Sequence, residues 1–427
     1  MKRFFALVIM AFLTSSQLLA QAGSGVYVGG HIRRQRPSTI TTLKESGFTY
    51  VILFNVNVEA DGTLTTDGET ICKDGQYVFA NEQPYYVEDV KALKTWPTSI
   101  QRIEICIGGW GNESYSRIRS LIEKEGTGPT TILYRNFQAL KQAIPEIDAV
   151  NNDDEQAYHA PSAIQFHTMM YDLGYKTTVA PYTNKNYWQS LVSTLNQNRS
   201  HACDRVLIQC YDGGAYNNPS DWKLGGLPVH AGRTNYQSDM DTSISQMQSW
   251  HDGNGVSGGF LWVYNDETWN LNQWAAAINR VFPTKHVTEP AVTLFTATNF
   301  GGEPIQLPAG RFSKGELAVY GLADRTISSF QLAPDYKMTV YVSTDLTGST
   351  KKVWSSGDQV QQLGSWARRI SSIEIQKEET NAIGTMANPA TTTPSHALTG
   401  FYDLQGLPRS LPQKGIMIKD GKKSIIH

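Results

Sequence analysis

Short apolar runs alternate with longer amphipathic segments between residues 23 and 282, and this alternation restricts the fold more than any other feature. The apolar runs cover residues 26–28, 50–54, 103–107, 147–150, 177–180, 206–210, 227–229 and 259–263. The segments between them include residues 134–143, 162–173, 186–195, 240–250 and 271–281, which have helical spacing. Eight such units predict an α/β fold, a (β/α)8 TIM barrel over residues 23–284. A doubly wound open sheet shares the alternation, but the length of eight units favours the closed barrel.

The first 22 residues have the pattern of a signal peptide. Lys2 and Arg3 precede an apolar run over residues 4–13, and Ala20 and Ala22 offer cleavage points. That run is short for a membrane span, and no later stretch reaches the roughly 20 apolar residues that a span needs. We therefore expect a secreted or cell-surface protein with no transmembrane segment, rather than one held by an uncleaved anchor.

The charge and the aromatic content of the chain limit the classes of partner that it is expected to bind. The formal net charge is −2, which gives no electrostatic basis for binding nucleic acid or an anionic membrane. Aromatic residues make up 11% of the chain, and their faces stack on sugar rings as well as filling cores.

In an oxidising compartment the four cysteines allow three pairings, and the sequence does not choose among them. Cys106 and Cys210 lie in apolar runs, which favours buried free thiols.

Short alternating runs over residues 291–376 predict an all-β domain with an internal repeat. Phe295-x4-Phe300-x-Gly302 recurs as Tyr341-x4-Leu346-x-Gly348, and each half ends in Ile-Ser-Ser. This pattern indicates two Greek-key halves forming a sandwich. Residues 291–377 resemble a βγ-crystallin domain. The resemblance implies calcium ligands ahead of the paired serines, but arginines stand there, which opposes cation binding.

The C-terminal part of the chain reads as a linker and a separate segment. Residues 378–397 are polar and rich in Thr and Pro, as in a linker. Residues 398–427 combine Tyr-Asp-Leu-x-Gly, Lys-Gly-Ile and Gly-Lys-Lys, and are similar to C-terminal sorting domains of the type IX secretion system. That similarity implies contact with the secretion machinery. The alternative is a plain pair of terminal hairpins packed on the body.

The fourth predicted strand ends in the run Asp148-Ala-Val-Asn-Asn-Asp-Asp-Glu155. Side chains alternate along a strand, so Asn151, Asp153 and Glu155 are expected to point into the mouth of the barrel, where reacting groups gather. Carboxyl groups this close raise the pKa of at least one of them, which suits Glu155 to carry and donate a proton. The alternative is a solvated acidic loop.

Three other predicted strands end in groups suited to a ligand site. The third ends in Gly108-Gly109-Trp110, where a glycine turn lets the backbone approach something closely. The sixth ends in Gln209-Cys210-Tyr211-Asp212, and the eighth contains Trp262, a flat apolar surface for a sugar ring.

Together these strand ends resemble glycoside hydrolase family 18, the chitinases and endo-β-N-acetylglucosaminidases. Its Asp-x-x-Asp-x-Asp-x-Glu pattern is matched by Asp148, Asn151, Asp153 and Glu155. The resemblance implies hydrolysis of N-acetylglucosamine-containing glycans in which the substrate's own acetamido group takes part. It further implies that Glu155 is the acid, Asp153 orients the acetamido N–H, Tyr211 binds its oxygen and Trp262 forms the floor. Asp148, Asn151, Trp110, Gln209 and Asp212 are then expected to bind substrate.

The chain departs from the family pattern in three places. Asn151 stands in place of an Asp that would share a proton with Asp153, Cys106 replaces a serine, and Asp154 stands where an aromatic residue is common. Both essential carboxyl groups remain, so we expect an active enzyme that requires neither a metal nor a cofactor. The alternatives are a carbohydrate-binding protein that uses Trp110, Tyr211 and Trp262 as stacking surfaces, and an adhesion protein that binds through its crystallin-like domain.

Overall fold

The computed structural model describes residues 23–265, 270–378, 401–402, 408–409, 415–419 and 422–426. The chain divides after Glu379 into two compact units, a large N-terminal one and a small C-terminal one. Across the described ranges, no helix combines the length and the apolar character needed to cross a membrane.

The N-terminal unit begins with a closed barrel of eight parallel strands, in the order β1-β12-β11-β10-β9-β8-β7-β2. Its strands and those of one insertion are β1 (Gly23–Val28), β2 (Tyr50–Leu53), β3 (Asn57–Val58), β4 (Leu64–Thr66), β5 (Glu69–Lys73), β6 (Gln76–Tyr77), β7 (Arg102–Gly108), β8 (Ala149–Asp153), β9 (Lys176–Val179), β10 (Cys203–Gln209), β11 (Val229–Thr234) and β12 (Gly258–Tyr264). The helices around it are α1 (His31–Arg34), α2 (Arg36–Lys44), α3 (Tyr86–Leu93), α4 (Ser114–Glu125), α5 (Ile132–Ala143), α6 (Ala160–Asp172), α7 (Lys185–Asn198), α8 (Met240–Asn254) and α9 (Leu271–Val281).

The predicted barrel is confirmed, and each of the eight apolar runs overlaps one of its strands. The bounds differ most at the seventh run, predicted over residues 227–229, of which only Val229 lies in the strand. Strand β11 continues through His230, Arg233 and Thr234, polar residues that the apolar pattern does not register. His230 is fully buried and bonds to the hydroxyl of Tyr50 across the barrel, so the strand carries polar groups inward.

A four-stranded antiparallel sheet, β3-β4-β5-β6, is inserted after the second barrel strand and was not predicted. Its strands have two to five residues, too short to show a period of two in the sequence. Cys72 on β5 is buried there. All four cysteines are buried and free, as expected for Cys106 and Cys210.

Residues 291–377 form two antiparallel sheets with a core of their own. Their elements are β13 (Val292–Phe295), β14 (Pro304–Leu307), β15 (Gly310–Phe312), α10 (Lys314–Val319), β16 (Ser329–Leu332), β17 (Tyr336–Tyr341), β18 (Lys351–Trp354), β19 (Gln359–Val360) and β20 (Ser372–Lys377). The sheet orders are β14-β13-β16-β19 and β15-β20-β17-β18. Each half of the repeat therefore lends one strand to the other half's sheet, as in a pair of Greek keys.

The internal repeat in the sequence corresponds to a repeated hydrogen-bonding pattern. In the first half the hydroxyl of Ser329 accepts a bond from the backbone N–H of Phe300 at 3.0 Å and donates to the carbonyl of Ala297. In the second half Ser372 accepts from the N–H of Leu346 at 2.9 Å and donates to the carbonyl of Ser343. The second serine of each Ile-Ser-Ser step thus fastens the folded hairpin of its own half.

A buried amide joins the barrel to the sandwich. The Asn279 side chain on α9 is 1% exposed, and its Nδ2 donates to the carbonyl of Gly47 at 2.9 Å and to that of Ala318 at 2.8 Å. Gly47 belongs to the barrel and Ala318 to α10 of the sandwich. One side chain therefore ties the two cores together.

Replacing Asn279 by Leu should lower the free energy of unfolding by about 2 kcal/mol, because a buried carbonyl that loses its donor is costly. Urea denaturation of the full chain would measure the change. Gln273→Leu, at an exposed position of the same helix, is the matched control and should have little effect. Equal midpoints for the two variants would show that the junction does not contribute to stability.

The C-terminal unit contains one antiparallel sheet, with strands β21 (Phe401–Tyr402), β22 (Pro408–Arg409), β23 (Gly415–Lys419) and β24 (Lys422–Ile426) in the order β22-β21-β23-β24. Gly415 and Ile416 of the predicted Lys-Gly-Ile strand lie in β23, which pairs with β24. The predicted signal peptide over residues 1–22 lies outside the described residues, as does nearly all of the linker over residues 378–397.

Candidate active site

Strand β8 places alternate side chains inside the barrel, with Asn151 at the bottom, Asp153 above it and Glu155 just beyond the strand end. The exposure of these residues rises along the series: Asn151 is fully buried, Asp153 is 4% exposed and Glu155 is half-buried. Asp153 and Glu155 both line a cleft of about 610 Å³ at the C-terminal mouth of the barrel. The strand alternation therefore delivers two carboxyl groups to one cleft, as expected.

Asn151 is held by groups below the cleft. Its Oδ1 accepts a bond from the Tyr27 hydroxyl at 2.9 Å, and its Nδ2 donates to Thr178 Oγ1 at 2.9 Å. Thr178 in turn donates to the buried carboxylate of Glu104 at 2.5 Å. The amide is engaged on both sides by neutral hydroxyl groups, which fixes its orientation beneath Asp153.

The partner of Asp153 is an amide from β10, two strands away from β8 in the barrel. Gln209 at the end of β10 donates from Nε2 to Asp153 Oδ1 at 2.9 Å and to the carbonyl of Ala180 at 2.9 Å. Gln209 itself is 9% exposed and reaches the cleft wall. Asp153 therefore accepts a hydrogen bond from an amide group whose orientation is fixed by its second bond, to the Ala180 carbonyl.

Burial controls the proton affinity of both carboxyl groups. Burial raises the pKa of Asp153 well above its usual range, and the nearby charges of Glu155 and Asp154 raise it further, while the Gln209 bond opposes them. Burial also raises the pKa of Glu155; Gln209 opposes the rise, and Asp154 and Asp212 add to it. The pair therefore keeps a proton at pH values where exposed carboxyl groups have lost theirs.

The floor of the cleft is aromatic. Tyr211 and Trp262 stack with their ring centroids 6.4 Å apart and their planes 14° from parallel. Phe54 and Tyr27 meet the Trp262 ring edge to face at 4.9 Å and 5.1 Å. This packing fixes a flat apolar surface in the same cleft as the carboxyl groups, which suits the face of a sugar ring.

The glycine turn after β7 brings its backbone against the carboxylate strand. The N–H of Gly109 donates to the carbonyl of Asp153 at 2.7 Å, and Gly108 has a φ of +111°. A Cβ at Gly108 would lie 2.1 Å from the same carbonyl oxygen. The expected close approach is confirmed, and the neighbour is the strand end that carries Asp153.

The rim above the cleft contains an anchored carboxylate. Asp212 follows β10 and accepts bonds from the Tyr236 hydroxyl at 2.7 Å and from Gln237 Nε2 at 2.6 Å. Trp110, which follows the glycine turn, lines the same cleft with 89% of its surface exposed. Both residues stand where the sequence predicted them.

Two of the predicted substrate-binding residues do not reach the cleft. Asp148 lies before the N-terminal end of β8, where Lys94 Nζ bonds to its carboxylate at 2.6 Å and the N–H of Ile103 does so at 2.8 Å. A strand of five residues separates it from the mouth of the barrel. Asn151 is fully buried, with its amide bonded to Tyr27 and Thr178, and it does not line the cleft.

The structure adds Phe54, Tyr182 and Gly213 to the cleft wall, which the sequence analysis did not single out. Phe54 directly follows β2, and Tyr182 comes three residues after the end of β9. Trp110 was recognised as an aromatic residue at the end of a predicted strand. The same criterion, an aromatic residue at or just after the end of a predicted strand, would have identified Phe54 and Tyr182.

Asp324, the acidic residue ahead of the paired serines in the first half of the crystallin-like domain, lies beside positively charged side chains. Lys314 Nζ and Arg325 Nε each lie 3.8 Å from Asp324 Oδ2. Arg325 also donates from Nε to the hydroxyl of Ser371 at 3.4 Å, in the second half of the repeat. The arginine expected to oppose calcium thus occupies the space between the acid and the serine.

The fold and cleft define a protein with a closed eight-stranded α/β barrel and a βγ-crystallin-like domain, the latter over about 20% of the chain. No protein-family model matches the chain. Development-specific protein S of Myxococcus xanthus is 29% identical over 84 residues, which cover 20% of this chain and 47% of that protein. A homologue of protein S from the same organism is also 29% identical over 84 residues and is covered to 46%. The chain thus spans about half the length of the curated relatives it matches.

Two solved structures of single domains are similar to the same fraction of the chain. The N-terminal domain of protein S is 27% identical, with 20% of this chain and 94% of that chain covered, at a TM-score of 0.19. A βγ-crystallin domain from Flavobacterium johnsoniae is 23% identical, with 21% and 98% covered, at a TM-score of 0.20.

Proposed function

We propose that this chain is a glycoside hydrolase that cleaves β-linked N-acetylglucosamine-containing glycans with the help of the substrate's acetamido group. The observation that carries the proposal is the pairing of Asp153 and Glu155 in one cleft above the Tyr211–Trp262 floor. The proposal agrees with the resemblance of these strand ends to glycoside hydrolase family 18.

In the proposed reaction Glu155 protonates the glycosidic oxygen as the bond to C1 breaks. The acetamido oxygen attacks C1 and closes an oxazolinium ring. Asp153 accepts a hydrogen bond from the acetamido N–H and offsets the positive charge of the ring. Water then attacks C1 from the opposite face as Glu155 takes its proton, and the C1–O bond of the oxazolinium ring breaks to restore the acetamido group, so the configuration at C1 is retained. Tyr211 donates to the acetamido oxygen and aligns it, which accounts for part of the rate through positioning.

The charge of the cleft favours a neutral sugar. Among the described residues that line it, none is Lys, Arg or His, whereas Asp153, Glu155 and Asp212 are acidic. An anionic glycan would meet negative charge without a cation to balance it. Short connections also favour a shallow site, since β11 is followed by α8 after only residues 235–239. A bulky branched glycan such as the chitobiose core of an N-glycan fits this description better than a long chitin chain.

Product analysis by mass spectrometry tests the proposal. The purified chain is mixed separately with an N-glycosylated protein and with chitooligosaccharides. Release of a glycan cut within its chitobiose core is the expected result, and NMR of the first-formed anomer should show retention. Cleavage of chitooligosaccharides alone would keep the mechanism and change the substrate. The absence of cleavage in both mixtures would contradict the proposal.

The burial of Asn151 favours a second candidate, a carbohydrate-binding protein on the same barrel. An amide cannot take a proton from Asp153, and both of its polar atoms are committed to Tyr27 and Thr178. Binding of either glycan without hydrolysis, lost on Trp262→Ala, would support this candidate.

We also propose that the chain is exported through its signal-peptide-like start and contacts a secretion machinery through residues 398–427. The support is the sequence pattern of both ends. Deleting residues 398–427 should leave the protein inside the producing cell if the segment directs export. Normal secretion of the truncated chain would overturn this proposal.

A further inference from the structure

Asp154, between the two proposed active-site carboxyl groups, points away from the cleft and into the protein. It is 2% exposed, although it precedes a half-buried residue at the end of a strand. Its Oδ1 accepts the backbone N–H groups of Gln156 at 3.1 Å and Ala157 at 2.8 Å, and its Oδ2 accepts that of Tyr158 at 2.9 Å. The oxygens of an ionised carboxylate accept hydrogen bonds and do not donate them. The Asp154 carboxylate therefore suits a position that faces three backbone N–H donors.

A second layer fixes Asp154 itself. Its N–H donates to Asn152 Oδ1 at 2.9 Å, and Asn152 Nδ2 bonds to His167 Nε2 at 2.9 Å. Thr177 bonds to the other ring nitrogen of His167 at 3.0 Å. Burial lowers the pKa of His167 to about 3, so the ring is neutral and can accept from Asn152 while donating to Thr177. The outward side of β8 is therefore a neutral hydrogen-bonded layer with one charged group at its end.

We propose that Asp154 is a positioning residue for Glu155: it clamps the backbone that follows the acid and keeps a fixed negative charge beside the acid's carboxyl group. This inference rests on the proposed function, since it assigns Asp154 to the general acid of that reaction. The three clamped residues directly follow Glu155, so the chain on both sides of the acid is fixed.

The charge of Asp154 acts on the acid together with other groups around the cleft. Those facing Glu155 come from four places: Asp153 and Asp154 on its own strand, Cys106 on β7, Tyr211 and Asp212 after β10, and Tyr158 in the following loop. Cys106, Tyr211 and Tyr158 are neutral, because burial raises the pKa of each. Asp154 is therefore one of two neighbouring carboxyl groups, the other being Asp212, whose charge opposes ionisation of the acid.

The test compares Asp154→Asn with Asp154→Glu in the full chain. The amide keeps the shape and one acceptor oxygen and loses the charge, whereas the longer carboxylate keeps the charge and disturbs the clamp. NMR titration of 13C-labelled Glu, with the Glu155 signal assigned through Glu155→Gln, measures the acid directly. In Asp154→Asn we expect the pKa of Glu155 to fall by about half a unit to one unit. In Asp154→Glu it should stay near the wild-type value, while the amides of residues 156–158 exchange with solvent at least tenfold faster.

Activity gives a second readout with a fixed sign. The protonated acid is the active form, so kcat/KM falls as the pH rises past the pKa of Glu155. Losing the negative charge at Asp154 lowers that pKa, and the basic limb of the profile therefore moves to lower pH. Asp239→Asn, which alters a remote carboxylate that caps α8 by accepting from Thr242, is the matched control and should move nothing.

The outcomes separate the two proposals. An unchanged pKa of Glu155 in Asp154→Asn together with unchanged exchange in Asp154→Glu would overturn this inference. Hydrolysis by the wild-type chain would still stand in that case. Conversely, an inert wild-type chain would overturn the proposed function, while the NMR titration would still decide whether Asp154 acts on Glu155.

Discussion

Replacing Glu155 by Gln is expected to lower the rate of glycan hydrolysis by about 10²–10⁴-fold while leaving glycan binding intact. The amide has the same shape as the carboxyl group, but it has no proton to give to the leaving oxygen. The cleft floor and its polar wall are unchanged, so the dissociation constant should move little. Product mass spectrometry and calorimetric titration on the same preparation measure the two quantities separately.

The matched control for this variant is Glu123→Gln on the exposed face of α4, where the carboxylate bonds to Arg119 one turn earlier. It makes the same Glu-to-Gln substitution at a distance from the cleft and should keep wild-type activity. A Glu155→Gln protein that hydrolyses glycan at the control's rate would remove Glu155 from the role of acid and with it the proposed mechanism.

Replacing Gly108 by Ala should lower the free energy of unfolding by about 3 kcal/mol and reduce kcat at least tenfold. The added Cβ would lie 2.1 Å from the carbonyl oxygen and 2.5 Å from the carbonyl carbon of Asp153. Both atoms belong to the backbone of the carboxylate strand and cannot rotate away. Either the turn opens or β8 shifts, and the second outcome moves Asp153 and Glu155 together.

Gly111→Ala is the control for this change, because Gly111 also has positive φ, +73°, yet no described atom lies within 4 Å of a Cβ built there. Its cost should be limited to the left-handed backbone, about 1 kcal/mol, with activity unchanged. Thermal unfolding and initial rates of the two variants give the comparison. Equal effects would mean that the contact between the turn and β8 does not hold the carboxyl groups in place.

The barrel could be predicted from the sequence, because most of its strands are buried on both sides and contain an apolar run. The sequence also determined which strand ends meet: parallel strands place their C-terminal ends at one mouth, so Asp153, Glu155, Tyr211 and Trp262 had to lie near each other. The repeat of the sandwich could also be recognised in the sequence, because Ser329 and Ser372 each accept a hydrogen bond from the backbone of the hairpin in their own half.

The neighbours of each polar side chain could not be predicted from the sequence, because they depend on the packing of distant segments. Asn151 and Asp148 belong to the same motif as Asp153, but the depth of each along β8 sends one into the barrel core and the other to its far end. Asp154 had the sequence features of a solvated acidic residue, yet the turn after Glu155 brings three N–H donors around it. Such contacts depend on where a strand begins and on which residue faces it, and composition and period do not contain that information.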